Sequence, residues 1–200
     1  ASPCSTARWT MPWRAGCGGD PLQRPGEFDA ALPSLGGWPE ASPPVRACIA
    51  DLERAYAENG AAFRAEALAL LEARGYEAHE GLQDPAKPKW SYADVDDSTL
   101  EVSRPTIDRA VAAVRRTCGL QAAGISRLER GPAIRPHSAP TNRRCTLHLG
   151  RVVDAADVDR LTLTVAGTAR AGAWVQGKVV LFDDSYEHDV VHAGARDRQR

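Results

Sequence analysis

The hydrophobic period of this chain changes once, near residue 120, and that change constrains the fold more than any other feature. Before it, apolar residues recur at spacings of three and four. Ile49, Leu52 and Tyr56 share one helical face, and Phe63, Ala67, Leu70 and Leu71 continue it. Asn59-Gly60 interrupts the pattern and predicts either a kink or two helices. Gly75 follows the last periodic residues and suits a C-terminal cap. A second helix is predicted from about Pro105 to Cys118, with Pro105 or Thr106 at its start and Gly119 at its end. Ile107, Val111 and Val114 form its stripe. After residue 120 the pattern becomes short apolar or alternating runs at 124–128, 144–149, 160–166 and 178–182, with a further run at 187–192. Leu161, Leu163 and Val165 alternate with Thr162 and Thr164, as in a half-buried strand. Helices followed by strands predict an α+β domain: a sandwich or jelly roll with N-terminal helices packed on one sheet.

The remaining segments carry little periodicity. Residues 1–43 are rich in Pro and Gly and read as an irregular leader, which leaves residues 44–200 as the expected domain. Residues 76–102 are polar and broken by Pro85 and Pro88, with Trp90 and Tyr92 embedded in them. The chain opens on Ala1 and its one Met is Met11, so a processed or partial chain is expected. The 25 basic and 26 acidic residues leave a net charge of -1, which argues against a nucleic-acid binder relying on a basic field. No apolar run approaches the ~20 residues of a membrane helix. The five cysteines contain no C-x-x-C pair. Cys4 and Cys17 are close enough in a loop-like segment to pair in an oxidising compartment, and scattered free thiols are the simpler reading.

Four of the five histidines, His137, His148, His188 and His192, lie in the strand-rich half; His79 lies outside it. Imidazole is the commonest nitrogen ligand for Fe, Zn, Cu and Ni. Two histidines some fifty residues apart converge only through tertiary structure, and a jelly roll brings such strands face to face. His188-Asp189-Val190-Val191-His192 is one substitution from the zinc-protease pattern H-E-x-x-H, which needs a helix. The β-branched Val190-Val191 and the early Gly194 argue for a strand instead.

Two segments take the reading further: Pro136-His137-Ser138-Ala139-Pro140-Thr141-Asn142, and Gly177-Lys178-Val179-Val180-Leu181-Phe182-Asp183-Asp184-Ser185-Tyr186-Glu187-His188. His148-Leu149-Gly150 lies between them, and Leu52-Glu53-Arg54 and Lys89-Trp90-Ser91 are weaker landmarks upstream. In this order and at this separation, the chain from about Leu52 to Arg198 resembles the aspartyl/asparaginyl β-hydroxylase family. The resemblance implies a double-stranded β-helix (jelly roll, cupin-like) that uses Fe(II), 2-oxoglutarate and O2. It implies His137 and His188 as the iron ligands. It implies Arg198 on the distal carboxylate of 2-oxoglutarate, Ser126 and His148 as further contacts to that cosubstrate, and Trp90 beside the same site. A guanidinium suits the bidentate task given to Arg198. The reaction implied is oxidative decarboxylation of 2-oxoglutarate to succinate and CO2, coupled to hydroxylation of a C–H bond. The implied target is the β-carbon of Asp or Asn in a peptide or protein. Relatives that act on lipid acyl chains or small molecules widen the substrate class. The family analogy also implies a membrane-anchored setting in the secretory pathway if an anchor precedes this segment.

The chain departs from the family pattern at two positions. Where related oxygenases place a carboxylate ligand this family has a non-ligating residue, usually Gly; here it is Ala139. The family's Arg two residues before His148 is Thr146, so one cationic contact to the cosubstrate is missing; strand alternation makes Arg144, rather than Arg143, the residue on that face. The chain also ends at Arg200, where relatives continue into another strand, so the domain is expected to lack its last strand. The rival reading is a catalytically impaired relative that acts as a binding or interaction domain. Thr146 and the expected missing last strand favour it; joint retention of His137, His188, Ser126, His148 and Arg198 opposes it.

Overall fold

The computed structural model describes residue 31 and residues 36–75, 90–129, 133–139 and 141–193. Cys4, Cys17, His79 and Arg198 lie outside the described residues. Helix α1 spans Pro43–Arg74, with Pro43 in its first turn, where its missing N–H costs nothing. Asn59 leaves helical geometry at φ -130°, and the helix bends there as the Asn59-Gly60 interruption predicts. Cys48, Tyr56, Phe63, Ala67, Leu70 and Leu71 are buried along its inner face. Gly75 ends it at φ 71°, a backbone region that costs glycine little, and its N–H bonds back to Leu71 and Glu72.

Helix α2, Pro105–Cys118, ends at a left-handed Gly119, as the sequence predicts. No residue of its own caps its N-terminus. The Glu66 carboxylate of α1 does so, accepting the Thr106 N–H at 3.0 Å and the Ile107 N–H at 2.9 Å. These amides have no intrahelical partner, and the anion also meets the positive end of the helix dipole. Glu66→Ala is expected to cost about 1–2 kcal/mol. The check is a lower urea midpoint at an unchanged slope.

Eight strands follow the plan of short β segments. They are β1 (Trp90–Asp94), β2 (Gly124–Leu128), β3 (Ala133–His137), β4 (Thr146–Leu149), β5 (Leu161–Val165), β6 (Thr168–Ala171), β7 (Val179–Phe182) and β8 (His188–His192). All pairings are antiparallel: β1 with β2, β4 with β7, and a four-stranded sheet ordered β3-β8-β5-β6. Five of these strands fall within the predicted runs. β1, β3 and β6 were not predicted; β1 sits inside the segment expected to be irregular. The architecture is α+β, with helices packed against antiparallel sheets.

Two apolar clusters set the layers. In the first, Tyr56, Phe63, Ala67 and Leu70 of α1 and Ile107 and Ala110 of α2 pack with Ala93 of β1 and Ile125 of β2. A fully buried leucine such as Leu70 contributes about 1.5–3 kcal/mol. Glu53 holds α1 against β7, accepting the Val179 N–H at 3.0 Å and the Lys178 ammonium at 2.8 Å. In the second cluster, Ile134, Leu163, Val165 and Val190 of the four-stranded sheet pack with Phe182 and Tyr186, joined by Trp38, Trp90, Leu128 and Trp174. The clusters therefore occupy opposite sides of β1 and β2. Among the described residues no helix is long and apolar enough to cross a membrane.

Candidate active site

Phe182 of the second cluster meets the rings of His148 and His188. β3 and β8 pair so that His137 stands opposite His188, with a register irregularity between Ile134 and His137. Pro136 lies within that irregularity and has no N–H to give to a ladder. The two imidazole centroids are 4.2 Å apart and inclined at 50°. Each ring is oriented by the carbonyl two residues before it: His137 Nδ1 lies 2.8 Å from the Arg135 carbonyl, and His188 Nδ1 lies 3.0 Å from the Tyr186 carbonyl. A carbonyl only accepts, so in each neutral ring Nδ1 carries the hydrogen and Nε2 keeps its lone pair.

The turn before His188 is tied down by its own polar groups. Asp183 Oδ1 accepts from the Ser185 N–H at 3.0 Å and from its hydroxyl at 2.7 Å. The Asp184 carbonyl accepts the Ala139 N–H at 2.7 Å, which fixes the segment after His137 to the segment before His188. Asp184 Oδ2 accepts the Thr146 hydroxyl at 2.7 Å. Thr146 is thus committed to a carboxylate and supplies no positive charge. Arg144 is near enough for its charge to act on both Asp184 and Tyr92.

His148 on β4 joins the pair through an aromatic residue. Its ring meets Phe182 edge-on at 5.0 Å, and Phe182 meets His188 in the same manner at 5.4 Å. Trp174 stacks on His148 at 6.0 Å. Burial pushes His148 down to about 4. Burial, followed by the charge of His137, pushes His188 down to about 3. Both imidazoles are neutral near pH 7, the form that binds metals.

Trp90 and Ser126 meet directly: the indole N–H donates to the Ser126 hydroxyl at 2.7 Å. Trp90 also packs on the cluster that contains Phe182. Arg151 was not singled out from the sequence, yet its guanidinium donates to the Ser126 carbonyl at 3.3 Å, and burial lowers its pKa. Its carbonyl in turn accepts the Tyr56 hydroxyl. Phe182 and Trp174 were missed as well, since only tertiary contact reveals them.

His192 is separate from this group. It lies on a strand, not a helix, about 13 Å along β8 from His188. Its Nδ1 faces the Glu129 carbonyl at 3.0 Å, and its Nε2 is 3.6 Å from Asp157. The zinc-protease geometry is therefore not formed. Among the described residues no cluster of three or more His, Cys, Asp or Glu is placed to hold a metal. What exists is a pair of adjacent imidazoles, each oriented through its Nδ1, with the buried, non-ligating Ala139 two residues after His137. Such a pair fits a metal that takes two protein nitrogens and leaves its other positions to oxygen ligands.

Known proteins share sequence with this chain. Residues 57–200 match the family model described as Aspartyl/Asparaginyl beta-hydroxylase. The chain is 40% identical over 60 residues to the aspartyl/asparaginyl beta-hydroxylase of Mus musculus, a match covering 30% of this chain and 7% of that protein. The Homo sapiens protein of the same name is 38% identical over 60 residues, covering 30% and 7%. The ornithine lipid ester-linked acyl 2-hydroxylase of Rhizobium tropici is 37% identical over 78 residues, covering 39% and 27%. The matched stretches thus span between 7% and 27% of the length of these relatives.

Proposed function

Because the chain belongs to the aspartyl/asparaginyl beta-hydroxylase family, we propose that it is an Fe(II)- and 2-oxoglutarate-dependent oxygenase that hydroxylates the β-carbon of Asp or Asn in a peptide or protein. The observation that carries the reading is the facing pair His137 and His188, each ring oriented through its Nδ1 by a backbone carbonyl. In the fold we propose, a jelly roll, the four-stranded sheet faces the strands that bear Ser126 and His148.

Iron and 2-oxoglutarate, when bound, supply oxidising chemistry that no side chain here possesses. The protein's own residues orient and shield. His137 and His188 would hold the metal through their imidazole nitrogens. His148, sandwiched by Trp174 and Phe182, presents an uncharged imidazole to a carboxylate of the cosubstrate. Ser126 is fixed by the Trp90 N–H, which leaves its hydroxyl hydrogen for the same ligand. Arg198 is proposed to clamp the distal carboxylate, and Arg144 to supply positive charge on the face where Thr146 offers none. Phe182 and Trp174 exclude water from one side of the imidazoles.

The test is direct. With Fe(II), O2 and 2-oxoglutarate, the protein is expected to release succinate, and an Asp- or Asn-bearing peptide is expected to gain one oxygen atom. A lipid acyl substrate is the second reading, supported by the likeness to the Rhizobium tropici acyl 2-hydroxylase. Oxygen incorporation into an acyl lipid but not the peptide would select it. Iron binding without succinate release would favour the impaired, binding-only relative.

A further inference from the structure

Residues 36–38 precede the family-matched region, 57–200, yet they dock on the segment that carries His188. The Gly37 carbonyl accepts the Asp183 N–H at 3.0 Å. The Trp38 ring packs on Phe182, with centroids 6.4 Å apart at 52°. The Arg170 guanidinium of β6 lies over the Trp38 ring, 3.7 Å from its centroid. Gly37 itself is pressed onto the end of β5; a Cβ there would come within 2.8 Å of the Val165 side chain and 2.9 Å of Ala166. The segment is therefore seated in a shaped place, held by a backbone hydrogen bond, a ring contact and a cation–π contact.

Both ends of this seating lead to the imidazoles. One route is Trp38 to Phe182, whose ring touches His188 and His148. The other is Gly37 to Asp183, whose carboxylate organises the turn before His188. Phe182 is 1% exposed, so its ring position depends on what packs around it. Removing the indole opens space on one side of that ring and lets the ring and the imidazoles beside it settle elsewhere. Metal sites tolerate little such movement, and ligand orientation is set by the groups behind the ligands.

We propose that the Gly36–Trp38 segment is a positioning element of the metal site, with Trp38 acting through Phe182 to hold His188 and His148. This rests on the reading of His137 and His188 as metal ligands. A purely structural role for Trp38 predicts lower stability and unchanged metal affinity in protein that remains folded.

The experiment is a Co(II) titration of the full chain, well below the unfolding temperature of every variant used. Trp38→Ala is expected to weaken Co(II) binding about tenfold, within the range known for outer-shell changes. Trp38→Phe keeps an aromatic face on Phe182 and is expected to stay within about threefold of the parent. Gly37→Ala displaces the segment without emptying the core, and is expected to weaken binding as Trp38→Ala does; it decides the matter if Trp38→Ala does not fold. Parent-like affinity in folded Trp38→Ala or, failing that, in Gly37→Ala overturns the inference. His137→Ala separates the two failures. If it loses Co(II) while the segment variants keep it, only the positioning role falls. If it binds Co(II) like the parent, the metal-site reading falls and the positioning role with it.

Discussion

His137→Ala and His188→Ala are each expected to reduce Fe(II)-dependent succinate release to background, a loss of at least about a hundredfold. Outer-shell changes alone cost about 10–100-fold at metal sites, so removing a ligand exceeds that range. Among the described residues no third His, Cys, Asp or Glu completes a metal cluster with the pair. Ala139 has no donor, Asp183 Oδ1 is held by Ser185, and Asp184 Oδ2 accepts from Thr146. His192 is about 13 Å along the strand from His188. Loss of activity must be told apart from loss of fold, and the two positions differ in this respect. His188 is 8% exposed and touches Phe182, so its removal also leaves a cavity; His137 is more exposed and its replacement leaves the core intact. The informative pair is therefore a folded His137→Ala without metal binding beside His148→Ala. The latter is expected to bind metal but require more 2-oxoglutarate. Undiminished succinate release in both ligand variants would remove His137 and His188 from the metal site.

Which parts of this arrangement were legible beforehand follows from how much each residue declares locally. The helices were readable because their apolar residues recur at helical spacing, Pro105 opens the second, and Gly75 and Gly119 close them. The capping of α2 was not, because Glu66 comes from another helix. β5 alternates in burial and was readable for that reason. β1 hides because its buried position is Ala93, a small residue with a weak apolar signal. β6 hides because all four of its residues are exposed and it lies at a sheet edge, so nothing forces alternation. β3 carries Pro136, which argues against a strand; its edge position and its irregular register accommodate the missing N–H. The two histidines were readable as residue types in a family pattern. Their orientation by the Arg135 and Tyr186 carbonyls, and the Phe182 ring that joins His188 to His148, arise only when distant strands meet. Trp38 was concealed most fully, since it lies in a segment read as an irregular leader.

Lowering the pH from 7 to 5 is expected to destabilise the metal-free protein by about 4 kcal/mol, about 2 kcal/mol for each of His148 and His188. The sign follows from proton counts. In the unfolded chain these imidazoles titrate near 6.5. In the folded protein burial holds them at about 4 and about 3. Between those limits the unfolded chain binds protons that the folded protein refuses, so stability falls as pH falls. Above pH 6.5 both states are neutral and the effect vanishes. Asp184, Glu187 and Asp189 act in the opposite sense: burial raises their carboxyls, so the folded protein takes up those protons more readily at the acid end. The histidine effect is therefore sought between pH 5 and 7, by urea denaturation at each end. His148→Phe keeps an aromatic ring against Phe182 and Trp174 without a titrating group, and is expected to remove about half of the dependence. A pH dependence that His148→Phe leaves unchanged would exclude a depressed His148. The acid sensitivity and the metal chemistry have one origin. Desolvation keeps the imidazole nitrogens unprotonated, which favours a metal over a proton at neutral pH and makes the empty site costly to fold once protons are abundant.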